Sequence, residues 1–160
     1  MAKYSKNIDE DLKDKVMKNE AIAKLAVYGV EIEVISILKS KNCVGEVIKG
    51  SNIVSLFTGK PDLVVIALYE DAFLKVDDET QNIWIESLIS QISYDIDKEK
   101  VIITKPELNI TIGMYHKYGN IAIQKAELSL LTIQQIIEKE KEDKAVEKGA
   151  ISILSKAKIK

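Results

Sequence analysis

The chain has 160 residues, 46% of them apolar and 30% charged, which suits one soluble domain with a single sizeable core. Its net charge of −2 offers little non-specific attraction to nucleic acid, and all 23 basic residues are lysines. With no arginine, bidentate reading of guanine and arginine-finger chemistry are excluded, so no sequence-specific nucleic-acid partner is expected.

The longest apolar run, Leu63–Leu68, falls far short of the ~20 residues needed to span a bilayer. The polar start, Met1 to Glu10, lacks the apolar centre of a signal peptide, so the expectation is neither secretion nor a membrane partner. Cys43 is alone, which excludes a disulfide framework and a cysteine-rich metal site.

In chain order, Ile8, Leu12 and Val16 step by four behind Asn7 as a candidate cap, predicting a first helix. Lys18-Asn19-Glu20 interrupts it before Ala21–Leu25, and Gly29 reads as a helix stop. Val30–Val34 alternates and continues through Leu38, predicting a strand. A turn at Ser40-Lys41-Asn42 suggests a hairpin with a second strand, Val44–Ile48, in which Gly45 marks a bulge or a close backbone approach. Ser51 or Asn52 caps a short helix over Ile53–Phe57 that Gly59 ends. Asp62–Tyr69 is apolar on both faces, the mark of a central buried strand, and the segment after it tucks Phe73 and Leu74 inward.

Asp77-Asp78-Glu79-Thr80 is a strong helix start with Val76 before it, and Ile85, Ile89, Ile92 and Ile96 then fall at helical spacing. Asp97–Lys100 closes that helix, and Val101–Thr104 returns as a strand. Leu108, Ile110, Ile112 and Met114 alternate like a strand, with an irregular loop as the rival reading, Gly119-Asn120 forms a turn, and Ile121–Ile123 suggests a further short strand. A long helix over about 126–148 follows, starting apolar and becoming Glu138-Lys-Glu-Lys-Glu-Asp-Lys, with Gly149 as its stop. The chain is thus predicted as one α+β domain over 1–149, a small mixed sheet with packed helices, and an amphiphilic tail over 150–160.

The order of elements over residues 44–119, about half the chain, resembles the phage metallopeptidase family of tailed bacteriophages. An apolar strand meets an acidic turn (Asp62 to Glu70), an aromatic-bearing segment follows, and then the capped helix. Beyond it come an acidic linker, the step Lys105-Pro106-Glu107-Leu108, and the ending Tyr118-Gly119. The resemblance implies a zincin-like scaffold whose central helix carries H-E-x-x-H, two histidines one turn apart on zinc with a glutamate between them as base. Counted back from Asp95, those positions are Ser87, Leu88 and Gln91. A serine and a glutamine are poor zinc ligands, and a leucine takes no proton. Sliding by one residue puts Glu86 at the base position but Ile85 and Ile89 at the ligand positions. No metal, no cofactor and no catalytic residue is therefore expected.

The remaining candidates have plainer alternatives. His116, the only histidine, can serve as general base with Asp95 or Glu107, or simply sit at the surface between tyrosines. Cys43 reads as a small buried residue rather than a nucleophile. Asp95, Asp97 and Glu99 lack the spacing of a calcium loop, and Thr58-Gly59-Lys60 lacks the full phosphate-loop pattern. Ile151, Ile153 and Leu154 in the tail, with the apolar side of the helix from Ala126, are the candidate interaction surface. The expected role is that of a non-enzymatic virion structural or assembly component, a ring or connector type. Its partners would be other phage proteins and itself as a homo-oligomer, in the virion or the host cytoplasm. A hydrolase with a displaced site using His116, and a small cytoplasmic regulator binding a host protein, are the alternatives.

Overall fold

The computed structural model describes residues 4–38, 44–50, 59, 62–104 and 110–157, with 149–157 as helix backbone only. The predicted helix over Ile53–Phe57 and Cys43 lie outside the described residues. The architecture is mixed α+β, as expected from the sequence.

After the two-residue strand β1 (Tyr4–Ser5) come helix α1 (Glu10–Met17) and helix α2 (Glu20–Val27). The cap of α1 is Asp9 rather than Asn7, its carboxylate accepting from the Leu12 N–H at 3.1 Å. Asp9 wins because the helix starts at Glu10, so its carboxylate stands directly before the first turn and reaches the otherwise unpaired Leu12 N–H. Asn19 caps α2 in the same way, and Gly29 ends the chain segment in a left-handed conformation.

Three longer strands follow, β2 (Glu31–Ile37), β3 (Gly45–Lys49) and β4 (Leu63–Leu68). The sheet order is β1-β2-β4-β3, with β2 parallel to β4 and β3 antiparallel to it. The expected β2–β3 hairpin is therefore corrected: β4 inserts between the two strands. The physical reason is in the side chains. Five of the six residues of β4 are buried, so both of its faces need cover, while β2 and β3 each keep exposed or half-exposed positions and suit the flanks.

Helix α3 (Glu70–Phe73) buries Phe73 completely but leaves Leu74 63% exposed, so Leu74 does not tuck inward. Helix α4 (Asp78–Ile89) begins as the sequence indicates, with the Asp77 carboxylate accepting from the Thr80 N–H at 3.0 Å. It ends at Ile89, earlier than predicted. Ile92 opens strand β5 (Ile92–Asp95), which pairs antiparallel with β6 (Lys100–Ile103), and Ile96 lies exposed in the turn between them. The 3.6-residue spacing of four isoleucines thus spans a helix and a strand.

The chain closes with helix α5 (Ile112–Ala157), broken once at Gly119, where φ is 81° and ψ is 163°. Residues 112 and 114 are helical rather than extended, and so are 121–123. The helix also runs through Gly149 instead of stopping there. The underlying cause is a buried period that the local turn signals mask: beyond Gly119, Ala122, Ala126, Leu130, Ile133 and Ile137 lie on one face against the core, and before it Met114 is buried too.

One core joins these layers. Trp84 of α4 is its largest fully buried side chain, packing edge-to-face on Phe73 with ring centroids 5.4 Å apart. Its indole N–H donates to the Ala126 carbonyl of α5 at 3.1 Å, which ties the two helices together. Among the described residues, no helix is long and apolar enough to cross a membrane.

Candidate functional site

Helix α4 is where the resemblance places catalysis, and the four positions Ser87, Leu88, Gln91 and Asp95 can be followed individually. Ser87 and Leu88 are buried, with Leu88 turned onto β3 where it meets Gly45. A Cβ at Gly45 would stand 2.6 Å from Leu88 Cδ1 and 2.9 Å from the Ala67 carbonyl oxygen, so the close backbone approach expected there is real. Gln91 is buried but lies beyond the helix, whose C-cap is Ser90, and its carbonyl accepts from the Thr104 N–H at 2.9 Å. Asp95 is on β5, where its carboxylate accepts from the Lys98 N–H at 3.1 Å and pairs with the Lys98 ammonium. A hydroxyl and an isobutyl group on α4 and a carboxamide beyond its end do not fit a zinc ion. Among the described residues, no group of three histidine, cysteine or carboxylate side chains converges on a common point.

No family model, curated protein or solved structure matches the chain. The candidate site is therefore argued from geometry alone, and two surfaces stand out.

The first is a polar cleft of about 620 Å³ between α2, α4 and the start of α5. Glu86, the one acid of α4 facing it, accepts hydrogen bonds from the Lys117 ammonium and from the Tyr118 hydroxyl, the latter at 2.8 Å. The bond to Glu86 raises the Lys117 pKa, and burial followed by that same carboxylate pushes the Tyr118 phenol up. Both neighbours are thus held in their protonated forms, and Glu86 is engaged as an acceptor rather than presented as a base. His116 sits on the exposed side of the same helical turn, and Glu107 lies outside the described residues.

The second surface is a groove of about 640 Å³ along the outer side of α5, between that helix and the Lys75-Val76 turn. Ile121, Leu128 and Ile136 line it and are 84%, 63% and 43% exposed. Lys125 crosses one edge, bonded to Asp77 at the start of α4. That ammonium and the Thr80 N–H hold the Asp77 carboxyl well below the usual carboxylate range.

At 100° per residue, Ile121, Leu128 and Ile136 lie within about 60° of one line, roughly opposite the face that carries Ala126, Leu130, Ile133 and Ile137 into the core. The helix therefore carries, besides its covered apolar face, an open strip in which Ile121, Leu128 and Ile136 alternate with Lys125 and Thr132. Past Ile137 every described side chain, through Lys148, is exposed, and the open line continues through Val146. The sequence pointed to the apolar side of this helix and to Ile151, Ile153 and Leu154. It missed Ile121, which the predicted strand over 121–123 had hidden. The signal that finds it is the seven-residue step to Leu128.

Proposed function

We propose that this protein is a non-enzymatic assembly protein that works through protein–protein contacts on the outer face of α5. In this reading it is a virion structural or assembly component of a tailed bacteriophage, of ring or connector type, acting in the virion or the host cytoplasm. Its partners are copies of itself and other phage proteins, rather than a membrane or a specific nucleic-acid sequence.

The observation that carries the reading is that open strip. Ile121, Leu128 and Ile136 stand exposed along one line of the helix, and exposed apolar clusters rimmed by polar residues mark interaction sites. The phage setting and the zincin-like descent rest on the order of elements over 44–119, and the inactive state rests on the donor chemistry at Ser87, Leu88 and Gln91. Fold analogy supports the setting only; the surface supports the mode of action.

Quantitative mass spectrometry of purified particles from the phage that encodes the chain tests this. A fixed copy number per particle, or a fixed stoichiometry in an assembly intermediate, is the expected result. Retention in the free cell extract with a host protein would instead identify a regulator. Stoichiometric zinc with peptide hydrolysis, both lost in His116→Ala, would identify a displaced hydrolase.

A further inference from the structure

We infer that Gly119 is a hinge with two seats for the segment Ile112–Tyr118. The bent seat closes the polar cleft, and a straight seat opens it and frees Glu86 from Lys117. The hinge concerns the cleft and stands apart from the assembly reading.

The bent seat is held from outside the hinge. Gly119 has angles that glycine alone adopts readily, and no atom lies within 4 Å of where its Cβ would be, so nothing packs against the bend itself. What holds the segment is Met114, sunk into the core, and Glu86 of α4, which accepts from both Lys117 and Tyr118. In this seat Thr111, Gly113, Met114 and Lys117 form one wall of the cleft.

The same segment suits a second seat. With Gly119 at helical angles, Ile112–Tyr118 continues the helical part that runs from Asn120. Ala122, Ala126, Leu130, Ile133 and Ile137 mark the covered line of that part, all within about 40° of its centre at 100° per residue. Projected backwards, Tyr115 falls about 20° from the centre and Ile112 about 40° from it. These are the two large apolar side chains of the segment that the bend leaves exposed, at 44% and 77%. Met114 falls about 120° away and Lys117 about opposite. Straightening therefore exchanges Met114 for Tyr115 and Ile112 on the covered line, and withdraws the Lys117 ammonium from Glu86. It also restores the helical hydrogen bonding that a non-helical residue interrupts. The segment thus carries a separate apolar face for each setting of Gly119, which is what a two-state element requires. In the straight seat the cleft loses a wall, and Glu86 turns from an occupied acceptor into an available one.

Double electron–electron resonance on the full chain tests this, with spin labels on Gly113→Cys and Glu79→Cys in a Cys43→Ser background. Gly113 stands about 9 Å from the hinge, six residues at 1.5 Å each. A Cβ there meets only the Thr111 hydroxyl, at 3.7 Å, and Glu79 is an exposed position on α4. The starting chain is expected to show the bent distance as its main population. Gly119→Ala penalises the bend and suits a helix, so it is expected to raise the ratio of a second, discrete distance to the first by roughly tenfold. Glu86→Ala is expected to raise the same ratio by roughly threefold or more, through the lost hydrogen bonds rather than the hinge. Adding I112D/Y115D to Gly119→Ala identifies the second distance. Both side chains are exposed in the bend, so the bent seat loses little, whereas the straight seat would carry two carboxylates on its covered line. The second population is then expected to fall by roughly tenfold. One unchanged distance in both Gly119→Ala and Glu86→Ala overturns the hinge. A second population insensitive to I112D/Y115D, or a broad distribution with helix lost in circular dichroism, also overturns it, because the segment then unfolds instead of reseating.

Discussion

Gly45→Ala probes how β3 is placed in the sheet, and the structure allows its cost to be worked out. The added methyl would lie 2.6 Å from Leu88 Cδ1, about 1 Å inside the optimal carbon–carbon separation. It would also lie 2.9 Å from the Ala67 carbonyl oxygen, and that atom belongs to the backbone of the central strand. Leu88 can turn away, at about 0.5–1.5 kcal/mol for an unfavourable rotamer. The β4 backbone cannot move without disturbing its ladders to β2 and β3. Against this, alanine restricts the unfolded chain and returns about 0.4–1 kcal/mol. The expected net loss is about 1–3 kcal/mol, the usual range for overpacking. Urea denaturation followed by circular dichroism measures it. A double-mutant cycle with Leu88→Ala separates the two contacts: removing the leucine side chain should lower the cost of Gly45→Ala by about 0.5–1.5 kcal/mol, the rotamer share, while the contact with the Ala67 carbonyl remains. An unchanged cost in the Leu88→Ala background, or a stabilised Gly45→Ala, would refute the packing of α4 over β3.

Trp84→Phe removes the indole bond to the Ala126 carbonyl and leaves a small void between α4 and α5, so a loss of about 1–3 kcal/mol by chemical denaturation is expected. Gly119→Ala meets no neighbouring atom but forces a side chain into a φ/ψ region that only glycine occupies readily, so a loss of about 1–3 kcal/mol from backbone strain is expected in thermal melts. Asp77 has a folded pKa below its unfolded value, so its contribution is present above about pH 4 and is lost as pH falls through the folded pKa. Asp77→Asn should therefore flatten the acid limb of a Tm-against-pH profile, and Lys125→Met should do so in part. The Tyr118 phenol, raised by burial and by Glu86, should titrate above pH 10 in ultraviolet difference spectra, with that component absent in Tyr118→Phe.

The parts of the fold legible in the sequence are those set by local chemistry. The run Leu63–Leu68 announces a strand covered on both faces, Asp77-Asp78-Glu79-Thr80 announces a helix start, and Gly45 announces a close approach. Strand order was not legible, because the short step from β2 to β3 resembles a hairpin and only the two-faced burial of β4 forces it between them. The end of α4 was hidden because isoleucines spaced three and four apart satisfy a helical period even where Ile92 begins a strand. The N-terminal part of α5 was hidden by Gly119-Asn120, a turn signal that here produces a kink. For the candidate surface, the sequence pointed to the apolar side of the helix from Ala126, on which Leu128 and Ile136 are exposed, while the side chains of Ile151, Ile153 and Leu154 lie outside the described ones.

The central claim is that this chain acts by assembly through an open helix face rather than by chemistry on α4. Light scattering coupled to size exclusion, on the full chain and on Leu128→Glu, tests it most directly. The expected result is a mass of at least twice 17.9 kDa for the full chain, falling to the single-chain mass when a charge enters the groove. A single-chain mass for both proteins up to about 100 µM, well above the micromolar range of a modest interface, would contradict it.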